Sequence, residues 1–521
     1  MAYIRGQAQK MVRGLPTSKT YSVAAPVGGL NAVQALANMS PTDAIVMDNW
    51  FPQPSYVQIR NGYELWATDF PDQVETILCY ANGAGTKLFG ISGTEVYDAT
   101  AQGAVGAAVV TGLTNARWEY TNIATSGGQF MYAANAVDKP LYYDGASWVK
   151  VDGASTPAIT GVTTTTLRNP TLWKNRLWFI QNATMKAWYL PLSSIGGAAA
   201  SFDLGPIFSM GGQLQAIITA SLTDGSQFDD YIGFITTQGQ LALYRGTDPA
   251  SATTFALVGV YRLGKPIGRR CWFRAGTDTV ILCADGFVSL QRLISIGRLD
   301  QEKTTISYKI LNLVNQAVAS YSDNFGWQGV LHPFGSKIII NVPQVENSRQ
   351  FQYVQNTVGS SWCSFSNWNA NTFEVQGDNL YFGGSNYIAL ADSGGSDNDM
   401  NITATLKTAF NYMGSDRQKF FKMVRPIFSI NGTIAPALRL NVDFGDVPPT
   451  SGASFVASPS SLWNVSLWNV TYWATGMNIQ KNWQTIYGVG FSAALYVKVT
   501  VNGVTAQLQS LDYVYGVGGT L

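Results

Sequence analysis

Hydrophobic and polar residues alternate in short runs along most of this chain, and turn residues separate the runs. The clearest example is GQFMYAANAVDKPLYYDGASW (128–148), in which Phe130 and Tyr132, then Leu141 and Tyr143, alternate with their neighbours. A period of two residues is typical of a strand with one buried face. The segment therefore predicts a β-hairpin, and Asp144–Gly145, directly after the second run, supplies the next tight turn.

The same strand–turn–strand plan recurs along the chain, with first strands that begin roughly 40 to 60 residues apart. The segments that follow it are 86–100, 128–148, 175–191, 229–246, 278–292, 336–356 and 378–392. This spacing is near that of four-stranded propeller blades. We therefore predict an all-β protein whose main body, residues 51–395, is a six- or seven-bladed β-propeller, with Tyr132, Leu141 and Tyr143 packed between blades. Stacked β-sandwiches with similar hairpin spacing are the alternative.

The first part of the chain differs from this pattern. Residues 1–50 mix Gly, Pro, Ala and Ser and predict an extended N-terminal arm, with one short helix over roughly residues 40–49. After this arm, a strand over 56–60 and a second short strand flank Asn61–Gly62. An Asn-Gly pair between two such runs predicts another hairpin.

Two further segments interrupt or follow the propeller pattern. In TTISYKILNLVNQAVASY (304–321), Ile310, Val314 and Ala317 fall at helical spacing, which predicts an amphipathic helix inserted in the propeller. The Gly/Ser/Asp-rich stretch 393–401 is the best domain boundary. Beyond it, strongly alternating runs over residues 396–521 predict a C-terminal antiparallel β-sandwich.

Composition narrows the classes of function. Of the 521 residues only 12% are charged, and the net charge is +1, which argues against a globally basic nucleic-acid binder. So few charges suit either an extracellular β-protein or a subunit whose surface is covered by partners. We find no apolar stretch long enough for a signal peptide or a transmembrane helix, so we expect synthesis in the cytoplasm. The four cysteines lack metal-ligand spacing and are predicted to be free, buried thiols.

Catalytic patterns are scarce in the sequence. The single histidine, His332, precedes a proline in a turn, which favours a structural role over a catalytic triad. We find no P-loop, no GxSxG and no HExxH, and predict no enzyme activity, no cofactor and no metal site. A glycosidase needs only two carboxyl groups, and the candidates are Asp229 with Asp230, and Asp278 with Asp285. Each lies at or near a hairpin turn, where Asp commonly bonds its own backbone.

Basic clusters and tryptophans give candidate interface or lumen residues instead. The arm carries scattered positive charges, RLGKPIGRRCW (262–272) contains the densest internal basic group, and SLWNVSLWNVTYW (461–473) repeats Trp every five residues. A repeat of five builds a stripe on neither a strand nor a helix, which predicts an irregular aromatic loop, folded over the sandwich or inserted into a partner. The candidates are Arg5, Lys10, Arg13, Lys265, Arg269, Arg270, Trp463, Trp468 and Trp473.

Both ends of the chain carry motifs that resemble one family. The motifs are APVGGLN (25–31), SPTDAIVMDNWFP (40–52) and VQIRNGY (57–63) near the start, and FFKMVRPIF (420–428), LNVDFG (440–445), QLQSLDY (507–513) and Gly518–Gly519 near the end. Together they resemble the tail nozzle proteins of short-tailed bacteriophages, also called tail hub or packaged-DNA stabilisation proteins. The order of arm, propeller and β-domain is similar to that family as well.

The resemblance implies a structural virion protein of the phage tail. Its copies would form a ring, expected to be a homohexamer, below the portal and head–tail adaptor, and a tail fibre or distal plug protein would bind beneath it. Viral double-stranded DNA would pass through the lumen without sequence-specific contacts during genome retention and ejection. The alternative is a tail-tip propeller that binds carbohydrate or a host receptor, with or without depolymerase activity.

Overall fold

The computed structural model describes residues 18–83, 85–223, 228–296, 304–450 and 477–518. Strands hold 54% of the residues and helices 5%, so the predicted all-β class is confirmed. Among the described residues, no helix is long and apolar enough to cross a membrane.

Six small, separate sheets stand in a ring and form the blades of a β-propeller. The first four strands of a nine-stranded sheet fill the remaining place in the ring. We number the places 1 to 7 in chain order, with the shared sheet at place 6. The strands of blades 1 to 4 and their connections are β7 (Val74–Asn82), β8 (Gly85–Ser92), β9 (Glu95–Asp98), β10 (Gly103–Ala104), β11 (Glu119–Thr125), β12 (Gly128–Ala134), β13 (Leu141–Tyr143), β14 (Trp148–Lys150), β15 (Ile159–Thr160), β16 (Leu167–Trp173), β17 (Arg176–Gln181), β18 (Lys186–Tyr189), β19 (Gly197–Ala198), β20 (Ala200–Asp203), β21 (Leu214–Thr223), β22 (Phe228–Thr236), β23 (Gln240–Gly246) and β24 (Phe255–Arg262).

Blades 5 to 7 complete the ring, and an N-terminal strand closes it. Blade 7 takes its outer strand from β6 (Gly62–Thr68), which pairs antiparallel with the last strand of the propeller. The ring is therefore held shut by residues that are far apart in sequence. The other strands of these blades are β25 (Trp272–Ala275), β26 (Asp278–Cys283), β27 (Gly286–Ser289), β28 (Gln328–His332), β29 (Lys337–Val345), β30 (Arg349–Asn356), β31 (Trp362–Ser366), β32 (Thr372–Gln376), β33 (Asn379–Gly383) and β34 (Ile388–Ser393).

Each of the predicted hairpins forms the second and third strands of one place in the ring, from β8–β9 to β33–β34. The hydrophobic cores lie between adjacent blades, because each blade buries both faces against its neighbours. Leu141 and Tyr143 pack against blade 1, and Tyr132 packs against Phe179 of blade 3. The predicted packing of these three residues between blades is confirmed.

The C-terminal strands form two packed sheets. One is a seven-stranded sheet, and the other is the continuation of the nine-stranded sheet beyond blade 6. A single large core of buried residues, Trp50, Phe428 and Val497 among them, fills the space between the sheets and extends into blade 6. The predicted sandwich is confirmed. Its C-terminal strands are β35 (Ile402–Thr408), β36 (Lys419–Ile430), β37 (Ala437–Val442), β38 (Asn478–Lys481), β39 (Gln484–Gly490), β40 (Ala493–Val501) and β41 (Ala506–Val517).

The N-terminal residues are built into this sandwich. Residues 18–59 contribute β1 (Ser18–Ala24), β2 (Gly29–Leu30), β3 (Asp43–Asp48), β4 (Trp50–Pro52) and β5 (Val57–Ile59). Strand β1 pairs along its whole length with β41, and β5 pairs with β4 and β41. The described part of the predicted arm is therefore strand rather than a free extension.

The helix predicted over 40–49 is wrong, because β3 occupies that segment. Strand β3 pairs antiparallel with β35 and makes a parallel bridge to β31, so it joins the sandwich to blade 6. The β-branched Ile45 and Val46 favour a strand, and pairing on both edges of β3 outweighs the local preference for a helix.

The hairpin predicted at Asn61–Gly62 is also wrong. Strand β5 stays in the sandwich, whereas β6 crosses to blade 7, so these two neighbours in sequence lie in different sheets. Gly62 is required here for a close approach, since a side chain at this position would collide with the Ser396 carbonyl oxygen.

The inserted helix forms, but it begins later than predicted. Helix α1 (Leu290–Ile296) follows β27, and α2 (Leu311–Tyr321) follows a 3₁₀ turn at Tyr308–Ile310. Thr305 instead makes a β-bridge to Val288 of blade 5. Val314 and Ala317 form the buried face of α2, which packs on β29.

Candidate functional site

The innermost strands of the propeller converge on a cavity of about 160 Å³ at its axis. Strands from blades 1, 2, 3, 6 and 7 and the segment before β25 all contribute to its wall. We call this space the axial cavity. Its lining includes Thr76, Glu119, Tyr120, Asn169, Arg269, Arg270, Gln328, Thr372 and Glu374.

Arg270 ties the blades together at this axis. Its guanidinium fork presents planar donors in several directions at once, which suits a point where strands converge. It also stacks 5.3 Å from the Phe325 ring centroid. Burial lowers the pKa of Arg270, and neighbouring glutamates oppose that shift. The fork donates, at 2.8 to 3.3 Å, to Thr76 Oγ1, the Glu75 and Trp118 carbonyl oxygens, Gln328 Oε1 and Thr372 Oγ1.

The local sequence explains how two arginines reach the axis. In Pro266–Ile267–Gly268, the glycine has φ of +66°, a left-handed conformation that turns the chain toward the innermost strand. Arg269 and Arg270 follow immediately, and Arg270 makes a parallel bridge to Gln328 before β25 begins.

Two carboxyl groups face the arginines. Glu119 accepts the backbone N–H of Asn169 at 2.8 Å through Oε2, and its Oε1 is buried without a partner among the described residues. Burial raises the pKa of Glu374 to about 7, although a hydrogen bond with Tyr120 and the charge of Arg270 act in the opposite direction. Near neutral pH the axial cavity therefore holds a carboxyl group that is partly protonated.

This carboxyl group makes stability depend on pH. The pKa of Glu374 is higher in the folded state, about 7, than its ordinary value of 4.5. The folded protein therefore holds the proton more tightly, and stability falls as pH rises from about 4.5 to about 7, by up to about 3 kcal/mol from this group. We expect Glu374→Gln to remove that fall, so the variant gains on the wild type at about pH 8 and matches it at about pH 4.5.

Urea unfolding of both proteins across this pH range measures the effect. Glu64→Gln is the matched control, because Glu64 is an exposed glutamate on β6. Parallel pH profiles for the wild type and Glu374→Gln would contradict the assignment.

The candidate interface or lumen residues from the sequence lie in different places. Arg269 and Arg270 come together at the axial cavity, whereas Lys265 is exposed at the turn that precedes them. Sequence reasoning marked the two arginines as a basic cluster but missed Glu119 and Glu374, which lie on other blades. The remaining candidates, Arg5, Lys10, Arg13, Trp463, Trp468 and Trp473, lie outside the described residues.

A second polar cluster joins the start of the chain to the junction before the sandwich. Arg60 forms a bidentate ion pair with Asp397, with both N–O distances 2.7 Å, and both side chains are at most 5% exposed. Its Nε donates to Asn49 Oδ1 at 2.8 Å, and its guanidinium lies 5.1 Å from the Trp368 ring centroid. The motif residues Asn49 and Arg60 thus meet the predicted domain boundary, 393–401, in one network.

An exposed apolar surface lies on the outer face of the sandwich. Phe420 of β36 pairs opposite Val489 of β39, and Tyr487 lies two residues earlier on the same face. Tyr487 is 79% exposed and Val489 49%. We call Phe420, Tyr487, Val489 and Phe491 the apolar patch. Phe491 also lines a groove of about 440 Å³, which extends the patch toward Phe444.

Among the residues that the sequence offered as catalytic candidates, His332 and Asp285 bind neighbouring groups of the fold. His332 is buried 3.6 Å from Asp392, whose carboxylate also accepts from Lys337 at 2.6 Å. Asp285 accepts the backbone N–H of Gly264 at 2.8 Å. Asp229 lies in β22, on another blade.

All four cysteines are free thiols, and three of them are buried, close to the prediction. Within the described ranges, no group of three His, Cys, Asp or Glu residues could hold a metal ion.

No protein-family model and no curated protein matches this chain. Among solved structures, it is similar to BBS1N in complex with ARL6DN, in crystals soaked with mercury, at 9% identity and a TM-score of 0.39, over 64% of this chain and 98% of that one. The lead-soaked form of that complex gives 9% identity, the same coverages and a TM-score of 0.38. Raptor from Chaetomium thermophilum gives 11% identity and a TM-score of 0.36, over 66% of this chain and 29% of that one.

Proposed function

We propose that this chain is a structural protein of a short phage tail, whose copies form the ring-shaped nozzle below the portal–adaptor complex. One observation carries the proposal. The motifs that resemble the tail nozzle family come from opposite ends of the chain, yet they lie side by side in the sandwich. A chance resemblance at two ends would not be expected to fall within a single folded unit.

The contacts between these motifs are extensive. Strand β41, which carries QLQSLDY, pairs with β36, which carries FFKMVRPIF, and with β5 from VQIRNGY. Strand β4, from the NWFP portion of the second motif, pairs with β5. Arg60, which also binds Asn49, then connects this unit through Asp397 to the junction that follows blade 7.

The apolar patch is the proposed contact between neighbouring copies in the ring. Exposed aromatic and aliphatic side chains that adjoin one another on a sheet are costly for an isolated monomer, and they are typical of surfaces that a partner covers. Tyr and Phe are also frequent anchors of protein interfaces. A cyclic ring requires that this patch meet a different surface of the next copy.

In such a ring, DNA would pass between the copies rather than through a propeller. Arg270 and the oxygens that it binds narrow the axis of each propeller to a cavity of about 160 Å³, which is far too small for double-stranded DNA. The channel wall of the nozzle would then be an outer surface of each subunit. The low net charge of the chain, +1, suits a channel that must not bind DNA so tightly that ejection is slowed.

We expect the combined substitutions Tyr487→Ser and Val489→Ser to abolish the ring, because they replace two of the four apolar side chains of the patch, both of them well exposed. Light scattering after size-exclusion chromatography, with the adaptor protein present, measures the effect. Phe334→Ser is the matched control, since Phe334 is 76% exposed but lies in blade 6, in the turn between β28 and β29. A wild-type protein that stays a monodisperse monomer at micromolar concentration would refute the proposed function, and a ring that survives both changes would exclude the patch.

A further inference from the structure

Buried polar atoms without a partner lie on Glu119, which lines the axial cavity, and on Arg168, which precedes the lining residue Asn169. Arg168 is 2% exposed and donates through Nη2 to the Leu214 carbonyl oxygen at 2.7 Å. Its Nε and Nη1 are buried and, like Glu119 Oε1, have no partner in the described part of the chain. A buried charged donor without a partner is costly, because it has lost its hydrogen bonds to water and gained none in the protein. Such groups are therefore normally satisfied by water, an ion or a ligand.

The three arginines differ in the hydrogen-bond donors that they have left. Arg269 lines the axial cavity, and among the described residues its one hydrogen-bond acceptor is the Asn135 carbonyl oxygen, at 3.2 Å. Arg168 lies close behind, near enough to Glu119 and Arg269 for their charges to affect its pKa. Arg270, by contrast, donates its hydrogen bonds to oxygens of the blades. Of the two arginines that line the cavity, Arg269 is therefore the one whose donors remain for a ligand.

The charge balance of the cavity favours an anion. Two arginines and two glutamates, Glu119 and Glu374, line the cavity, and the positive charge of Arg168 lies near Arg269 behind the wall. Glu75 is engaged separately, with Arg117 at 3.1 Å. Because burial raises the pKa of Glu374, part of the negative charge is absent near neutral pH and below. The positive excess then lies in a space where solvent screens it poorly, so that an anion is attracted more strongly than at the surface.

We propose that the axial cavity binds a small oxyanion, a phosphate or a short carboxylate, held by the free donors of Arg269 and backed by the charge of Arg168. The forked guanidinium geometry matches two oxygens of either group. A cavity of about 160 Å³ is comparable to one that admits a benzene ring, so it has room for such an anion but not for a nucleotide. This inference is independent of the proposed tail function.

Titration with inorganic phosphate tests the proposal. Thermal unfolding and isothermal calorimetry are compared with chloride at equal ionic strength, and acetate in a parallel series separates a carboxylate site from a phosphate site. We expect saturable stabilisation of the wild type by phosphate or acetate but not by chloride. Arg269→Gln should weaken this binding at least about tenfold, because it removes a charge-assisted donor pair. Arg262→Gln, at an exposed arginine of β24, should leave it unchanged.

A second variant, for which tighter binding is expected, separates an effect on the site from a folding defect. Glu119→Gln removes a negative charge that faces the cavity, and we expect it to tighten binding of the same anion, which general destabilisation would not do. Equal behaviour in phosphate, acetate and chloride would overturn the proposal and leave the cavity to water. Undiminished affinity in Arg269→Gln would also overturn it, since the ion would then be only adventitious on another surface.

Discussion

Replacing Arg270 by methionine is expected to lower the free energy of unfolding by about 3 to 5 kcal/mol. Methionine has a similar reach and adapts to the space, so the loss reflects the missing donors rather than a large void. The change would leave the acceptors on blades 1, 2, 6 and 7 without their partner at the axis. It would also leave Glu374 in its buried place without the opposing positive charge.

Urea unfolding monitored by tryptophan fluorescence measures this loss, and Trp118 and Trp272 report locally because both line the axial cavity. The control is Arg262→Met, at an exposed arginine, which should change stability by no more than about 0.5 kcal/mol. Similar effects of the two substitutions would mean that Arg270 does not hold the blades together.

The second large effect is expected at Arg60. Arg60→Met leaves the Asp397 carboxylate buried and removes a bidentate ion pair whose members are 0% and 5% exposed. Breaking such a pair on one side costs about 3 to 5 kcal/mol, because an uncompensated charge stays inside the protein. The loss should fall on the junction between sandwich and propeller, which Arg60 spans.

Hydrogen exchange locates this effect, and we expect faster exchange in β5, in β6 and in the junction 393–401. Arg425→Met is a matched control within the sandwich. Arg425 also donates twice to a carboxylate, that of Asp512, but its side chain is 30% exposed, so about 1 kcal/mol is expected. If both variants exchange alike at the junction, the Arg60 network does not connect the two parts of the chain.

Sequence patterns predicted the hairpins because a hairpin is a local structure. Its register is set by the turn and by alternation within about twenty residues, and both features are visible in a segment such as 128–148. The pairing of β6 with β34 has no comparable local signal. Gly62 illustrates the difference, since it reads as a turn residue in sequence but serves close packing against Ser396.

For the same reason, the sequence indicated only some of the charged residues that line the axial cavity. Arg269 and Arg270 are adjacent in sequence and were marked as a basic cluster. Glu119 and Glu374 are isolated acids in two distant strands, and only the circular order of the blades brings them to the arginines. Asn49 and Arg60 were recognised as part of a motif, but their partner Asp397 could not be inferred without the fold.

The way in which β1 and β6 pair has a consequence for the order of folding during synthesis. The ribosome releases residues 18–68 before blades 1 to 6, yet the strands of this segment pair with β34, β35 and β41, which are made after those blades. Blades 1 to 5 can pack as they emerge, while the early strands wait with unpaired edges that are prone to associate with other chains. Completion of the propeller therefore waits for β34, and completion of the sandwich waits for β35 and β41.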